Sequence, residues 1–105
     1  MEINVTFRHM TGTDVIRRGV EERVAALQQH LPRTGTSAEV TLSTEGGEFI
    51  AEVALAAGDS RYYATERNHD MYQSIDRVVS TLESKITSGT KTTRTVGRIN
   101  VPGLG

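Results

Sequence analysis

At 105 residues, 36% hydrophobic and 24% charged, the chain is the size of one small soluble domain and too short for two independent cores. It contains no cysteine, which excludes a disulfide framework, thiol catalysis and cysteine-ligated zinc and suits a cytoplasmic location. No segment approaches the roughly 18 apolar residues of a membrane span, and the formal net charge of −1 is not that of a generally basic nucleic-acid binder.

From the start, Ile3, Val5 and Phe7 alternate with Asn4, Thr6 and Arg8, the period of a strand with one buried face rather than the apolar core of a signal peptide. After a break at Met10 to Gly12, Thr13 is a candidate N-cap and Asp14 suits the positive end of a helix. Ile16, Val20, Val24, Leu27 and Leu31 then form one helical stripe, so a helix is predicted to about His30, ended by Pro32 and Gly35. Ala38, Val40 and Leu42 alternate up to Gly46-Gly47, and Phe49, Ala51, Val53 and Leu55 resume beyond it, the pattern of a hairpin. Gly58-Asp59 leads into a third meander strand over 61–66, favoured by Tyr63 and Thr65. Ile50, Ala54 and Ala56 make the outer face of the middle strand less polar than usual. Asn68 is a candidate cap for a second helix with Asp70 in its first turn and Met71, Tyr72, Ile75, Val78, Val79, Leu82 and Ile86 inward. Ser88-Gly89 stops it. The fold class expected is α+β, in the order β-α-β-β-β-α, with two helices packed on one face of a four-stranded sheet. Residues 1–88 form this domain and 89–105, rich in Thr and Gly, a flexible basic tail.

Charge is distributed unevenly. Glu39, Glu45, Glu48, Glu52 and Asp59 fall between Arg33 and Arg61 with no Lys or Arg among them, whereas Lys85, Lys91, Arg94 and Arg98 follow the last acid, Glu83. On separate faces, these groups would leave one positive surface for a polyanion.

The order of elements and the run Asp70-Met71-Tyr72-Gln73-Ser74-Ile75-Asp76 resemble the ribosome hibernation promoting factor family, also called protein Y or ribosome-associated inhibitor. Thr13-Asp14-Val15-Ile16-Arg17, followed by Val20, Arg23 and Leu27, is similar to that family's first helix. The resemblance spans about residues 1 to 87. It implies a fold like that of double-stranded-RNA-binding domains and a translation inhibitor that binds the 30S subunit through 16S rRNA, in the channel used by messenger and transfer RNA. The chain lacks the length for the family's C-terminal dimerisation domain and resembles the short form. The resemblance also departs: Ser80 to Ser88 lacks most of the family's basic run, and Ala26 stands where a Lys is common.

Cations on rigid helices suit ribosomal RNA, which is read largely through phosphates, sugars and shape. The candidates are Arg17, Arg18, Arg23, Arg61, Arg67, Arg77, Lys85 and Lys91. On the helical wheel Arg17 and Arg23 lie about 60° to either side of Val20 and Arg18 roughly opposite it. Arg77 points outward and Lys85 flanks its stripe, while Arg61 and Arg67 bracket the last strand, where they would extend the same surface. Arg17 also has Glu21 within reach on its helix. Asp70 and Met71 suit helix initiation and core packing; Tyr72 suits packing or stacking on a base, and Asp76 a capping or internal hydrogen-bond role.

An enzyme is not expected. His9, His30 and His69 show no metal-ligand spacing, no phosphate-binding loop is present, and Gly46-Gly47 is explained by a turn. No cofactor or small-molecule substrate is implied, and self-association is left open. The alternative function is a protein-interaction domain of the same fold without ribosome binding, using its sheet or Thr95 to Val101 as an added edge strand.

Overall fold

Strict alternation in four segments and one apolar stripe on each helix assemble into two layers. The computed structural model describes residues 1–90, with strands β1 (Glu2–Arg8), β2 (Thr36–Glu45), β3 (Glu48–Ala57) and β4 (Ser60–Asn68) and helices α1 (Asp14–Ala25) and α2 (Met71–Ser88). The sheet order is β1-β2-β3-β4. β1 pairs parallel with β2 through the α1 crossover, and β2, β3 and β4 form an antiparallel meander. This is the expected β-α-β-β-β-α order. Lys91, Arg94, Arg98 and the segment Thr95 to Val101 lie outside the described residues.

The core lies between the helices and one face of the sheet. Val5, Ala38, Val40, Leu42, Ala51, Val53, Leu55, Tyr62 and Ala64 meet Val20, Val24 and Leu27 from one side and Ile75, Val78 and Leu82 from the other. In β4 the inward residues are thus Tyr62 and Ala64, and Tyr63 and Thr65 point away. Alternation places Ile50, Ala54 and Ala56 on the uncovered face, where Ala54 is exposed.

Both helices begin on side-chain caps. The Thr13 hydroxyl accepts from the Ile16 amide at 3.2 Å. At α2 the cap is Asp70, which accepts from the Gln73 amide at 3.0 Å, and not Asn68. Asn68 acts one step earlier, its side-chain oxygen accepting from the Asp70 amide at 2.9 Å. The single first helix expected to His30 also changes character: Ala26–His30 tightens into a 3-10 helix. There the Gln28 amide donates to the Pro32 carbonyl at 2.6 Å and its oxygen accepts from the Thr36 hydroxyl at 3.0 Å, tying the helix end to β2. Gly89, at φ 76°, closes α2, and the Thr90 amide donates to the Lys85 carbonyl at 2.8 Å.

Gly12 marks a close approach, since a Cβ there would lie 2.1 Å from the Phe7 ring. Among the described residues no helix is long and apolar enough to cross a membrane.

Leu82 is fully buried where α2 meets the sheet. Leu82→Ala is expected to lower stability by about 2–5 kcal/mol, read in urea as a lower midpoint at unchanged slope.

Candidate nucleic-acid interface

The helical wheel determines what each cation meets. Arg17 and Arg23 flank the buried stripe of α1, so one reaches the outer edge of the sheet and the other the second helix. The Arg17 guanidinium donates to the Val5 carbonyl at 2.7 Å and lies over the Phe7 ring, 5.2 Å from its centroid. It crosses to β1 and leaves Glu21 without it.

Arg23 fills the seam between α1 and α2. Its Nε donates to Asp76 Oδ1 at 3.0 Å, its Nη1 donates to the Gly19 carbonyl at 3.0 Å, and its guanidinium lies 4.3 Å from the Tyr72 ring centroid. Gly19 permits this closeness, because a Cβ there would come 3.1 Å from the Tyr72 ring. Asp76 thus takes the internal hydrogen-bond role its sequence position suggested, and Arg23 occupies a face of Tyr72. The Arg23 and Asp76 side chains are 35% and 59% exposed, so solvent screens their attraction. A second polar tie joins the helical layer where His30 Nε2 meets Glu83 Oε2 at 2.8 Å.

Arg18 and Arg77 are different. Both are exposed, and among the described residues neither has an ion-pair or hydrogen-bond partner. Arg18 points away from the α1 core stripe. Arg77 lies on the same side of α2 but farther from its buried stripe than Thr81 and Lys85, whose side chains donate to Glu66 at 2.9 Å and to the Tyr63 carbonyl at 2.6 Å.

Arg61 and Arg67 do not extend this surface. Strand parity places both on the open face of the sheet, on the opposite side from the helices. Arg61 donates to the Gly58 and Ser60 carbonyls at 2.8 and 3.1 Å. Arg67 pairs with Glu45 at 2.8 Å and Glu48 at 3.3 Å. The acidic middle of the sequence also lies here, because Glu39, Glu45, Glu48 and Glu52 share that parity. Glu2 joins them from β1, and the Tyr63 hydroxyl donates to Glu52. That bond first, with burial and the Glu52 charge, pushes the Tyr63 phenol up to about 12. The sheet thus separates an acidic open face from a helical layer bearing the unpaired Arg18 and Arg77.

The helical layer is nevertheless not basic: its two helices are balanced, and Asp70 at the α2 cap and Glu66, inward in β4 and bound by Thr81, add two acids. α1 carries Asp14, Glu21 and Glu22 against Arg17, Arg18 and Arg23, and α2 carries Asp76 and Glu83 against Arg77 and Lys85. All thirteen acids but only nine of the twelve Lys and Arg fall in residues 1–90, a formal −4, leaving +3 in 91–105. Two further cations stand apart from the candidates named from sequence. Arg8, on the open face at the end of β1, and Arg33, beyond Pro32, are exposed without a partner among the described residues. The period-2 pattern of β1 already carried the signal for Arg8. Among the described residues no three metal-ligating side chains converge.

Residues 3–91 match the family model described as sigma 54 modulation protein / S30EA ribosomal protein. A ribosome hibernation promoting factor from Azotobacter vinelandii is 28% identical over 86 residues, covering 82% of this chain and 79% of the relative. One from Salmonella typhimurium is 26% identical over 87 residues, covering 83% and 90%. Among solved structures, the N-terminal domain of Thermus thermophilus Protein Y superposes with a TM-score of 0.76 at 31% identity, covering 85% of this chain and 99% of that domain. A ribosomal subunit interface protein from Coxiella burnetii gives 0.73 at 15% identity, covering 85% and 97%, and shows the shared fold.

The Tyr63–Glu52 hydrogen bond predicts a high-pH signature. Ultraviolet titration should show one tyrosine ionising near 12, moving back toward the ordinary value of about 10 in Glu52→Gln. The raised pKa favours the protonated phenol in the folded state, so the stabilisation is intact below about pH 10 and is lost as pH rises through about 12.

Proposed function

Because the chain belongs to the sigma 54 modulation protein / S30EA ribosomal protein family, we infer that it is a ribosome-associated translation inhibitor acting on the small subunit. It binds 16S rRNA in the messenger and transfer RNA channel of the 30S subunit and stabilises inactive ribosomes. The observation that carries this reading is the family match across residues 3–91, which takes in both helices and all four strands. The names of its relatives, ribosome hibernation promoting factors, support it. Inhibition follows from occupancy: a rigid domain in the channel excludes the RNAs that translation needs, with no bond made or broken and no cofactor. The protein then works in the cytoplasm with the ribosomes.

The charge distribution favours the helical side as the rRNA side. Carboxylates on the open face repel phosphate, whereas Arg18 and Arg77 meet it without first losing a partner. Arg23 reaches RNA by sharing its guanidinium with Asp76, and Arg17 and Lys85 by leaving backbone carbonyls. Lys91, with Arg94 and Arg98, adds positive charge that the helical layer lacks. A second reading draws support from the formal −4 of residues 1–90: a protein-interaction domain of the same fold that binds no rRNA.

Co-sedimentation with 30S subunits over a salt series separates the two. The intact chain should pellet at low salt and be released as salt rises. Arg18→Glu/Arg77→Glu should weaken pelleting and lower the log–log salt slope by about 2, about one for each phosphate that is no longer neutralised. Lys91→Ser/Arg94→Ser/Arg98→Ser should act similarly. Failure to pellet even at low salt would overturn the rRNA reading in favour of the protein-interaction domain.

A further inference from the structure

An open sheet has two edges, and an edge strand presents unpaired amides and carbonyls that invite another strand. Among the described residues the edges are β1 and β4. The two-residue turn at Gly58-Asp59 makes Ala57 and Ser60 a bonded pair, so Ser60, Tyr62, Ala64, Glu66 and Asn68 bond to β3. Arg61, Tyr63, Thr65 and Arg67 turn their backbone groups outward. By the same alternation through β2 and the parallel β1 pairing, Ile3, Val5 and Phe7 turn theirs outward from β1.

Each outer row is interrupted by a cation from a helix. Lys85, in the last turn of α2, donates to the Tyr63 carbonyl at 2.6 Å, and Arg17 of α1 donates to the Val5 carbonyl at 2.7 Å. Val5 is the middle residue of the outward row in β1. Tyr63 lies within the β4 row, with Arg61 before it and Thr65 and Arg67 beyond. An incoming strand needs these carbonyls and would have to displace an ammonium or guanidinium group from each.

We propose that β4 is a latent self-association edge for a second copy of this chain, and that Lys85 keeps it closed. The occupant follows from self-complementarity. In the antiparallel register that sets Tyr63 opposite Tyr63 of the second copy, Arg61 faces Thr65 and Asp59 faces Arg67. No like charges oppose, and two tyrosine rings meet across the strands. A shift of one residue per two-fold pair sets Arg61 against Arg67, a repulsive alternative. Tyr63 is 38% exposed, one of two large hydrophobic side chains exposed among the described residues, and the favoured register covers it. That register requires the carbonyl that Lys85 holds, because Tyr63 would exchange both of its backbone bonds with its symmetry mate. Arg17 performs the corresponding task at β1, so the sheet stays closed on both sides.

The test is sedimentation of the full chain across a concentration series, with amide exchange read at Arg61, Tyr63 and Thr65. The parent and Lys85→Arg, which retains a donor, should stay at the monomer mass with fast exchange at these amides. Lys85→Met and Lys85→Leu keep an apolar stem without the charge or the donor. Both should move to twice the monomer mass as concentration rises, with slowed exchange at all three amides, and adding Tyr63→Glu should return them to monomers. Lys85→Met and Lys85→Leu remaining monomeric throughout would overturn the proposal, as would a dimer whose β4 amides still exchange as in the parent. A parent already dimeric through β4 would overturn it equally.

Discussion

Among the described residues only one face of the sheet is covered, and this constraint organises the domain. Two helices supply Val20, Val24, Leu27, Ile75, Val78 and Leu82 to meet the inward residues of four strands. A chain of this length has little further apolar surface for a third layer. The opposite face must therefore tolerate water, and it does so with carboxylates, threonines and serines at alternate positions. The helices must lie close together to close the core. Gly19 permits that approach, and Arg23, between Tyr72 and Asp76, fills the seam.

The same geometry divides the cations by angle around the helix. Long side chains that flank a buried stripe lay their stems on apolar neighbours and find backbone or aromatic partners at the layer's margin. Arg17, Arg23 and Lys85 all do this. Side chains farther from the stripe meet only solvent, as Arg18 and Arg77 do. A positive residue on a surface helix is thus not automatically a phosphate ligand. Its angular distance from the core decides whether binding RNA means gaining a partner or exchanging one.

Much of the fold was legible because the strands and helices advertise themselves by period. Ile3, Val5 and Phe7, the hairpin halves around Gly46-Gly47, and the stripe from Met71 to Ile86 each point to one element and one buried side. Local competition was less legible. Asn68 and Asp70 both have the chemistry of a cap, and only the path of the backbone out of β4 gives the role to Asp70. The 3-10 ending of the first helix depends on Gln28 reaching Pro32 and Thr36, interactions that helical periodicity does not encode. For the candidate site, the angular positions of Arg17, Arg18 and Arg23 were correct on the wheel, but the partners of Arg17 and Arg23 lie on β1 and α2. Arg61 and Arg67 were grouped with the helices by sequence proximity, although parity alone puts them on the far face.

The two faces of the sheet differ in how their charges are partnered, which the formal −4 of residues 1–90 does not show. A Debye length near 8 Å at physiological salt is shorter than the thinnest extent of the molecule, 20 Å. Each face is therefore felt largely on its own by a polyelectrolyte at its surface. The acidic face does not cancel Arg18 and Arg77; in the proposed rRNA complex it disfavours the inverted orientation. On the helical side Asp76 already holds Arg23 and Glu83 meets His30, which limits attraction to phosphate and gives shape more weight than charge density in the proposed binding. For the proposed occupancy of an RNA channel, a two-layer body with few free cations among the described residues suits reversible binding, where fit selects the site and modest electrostatics allow release.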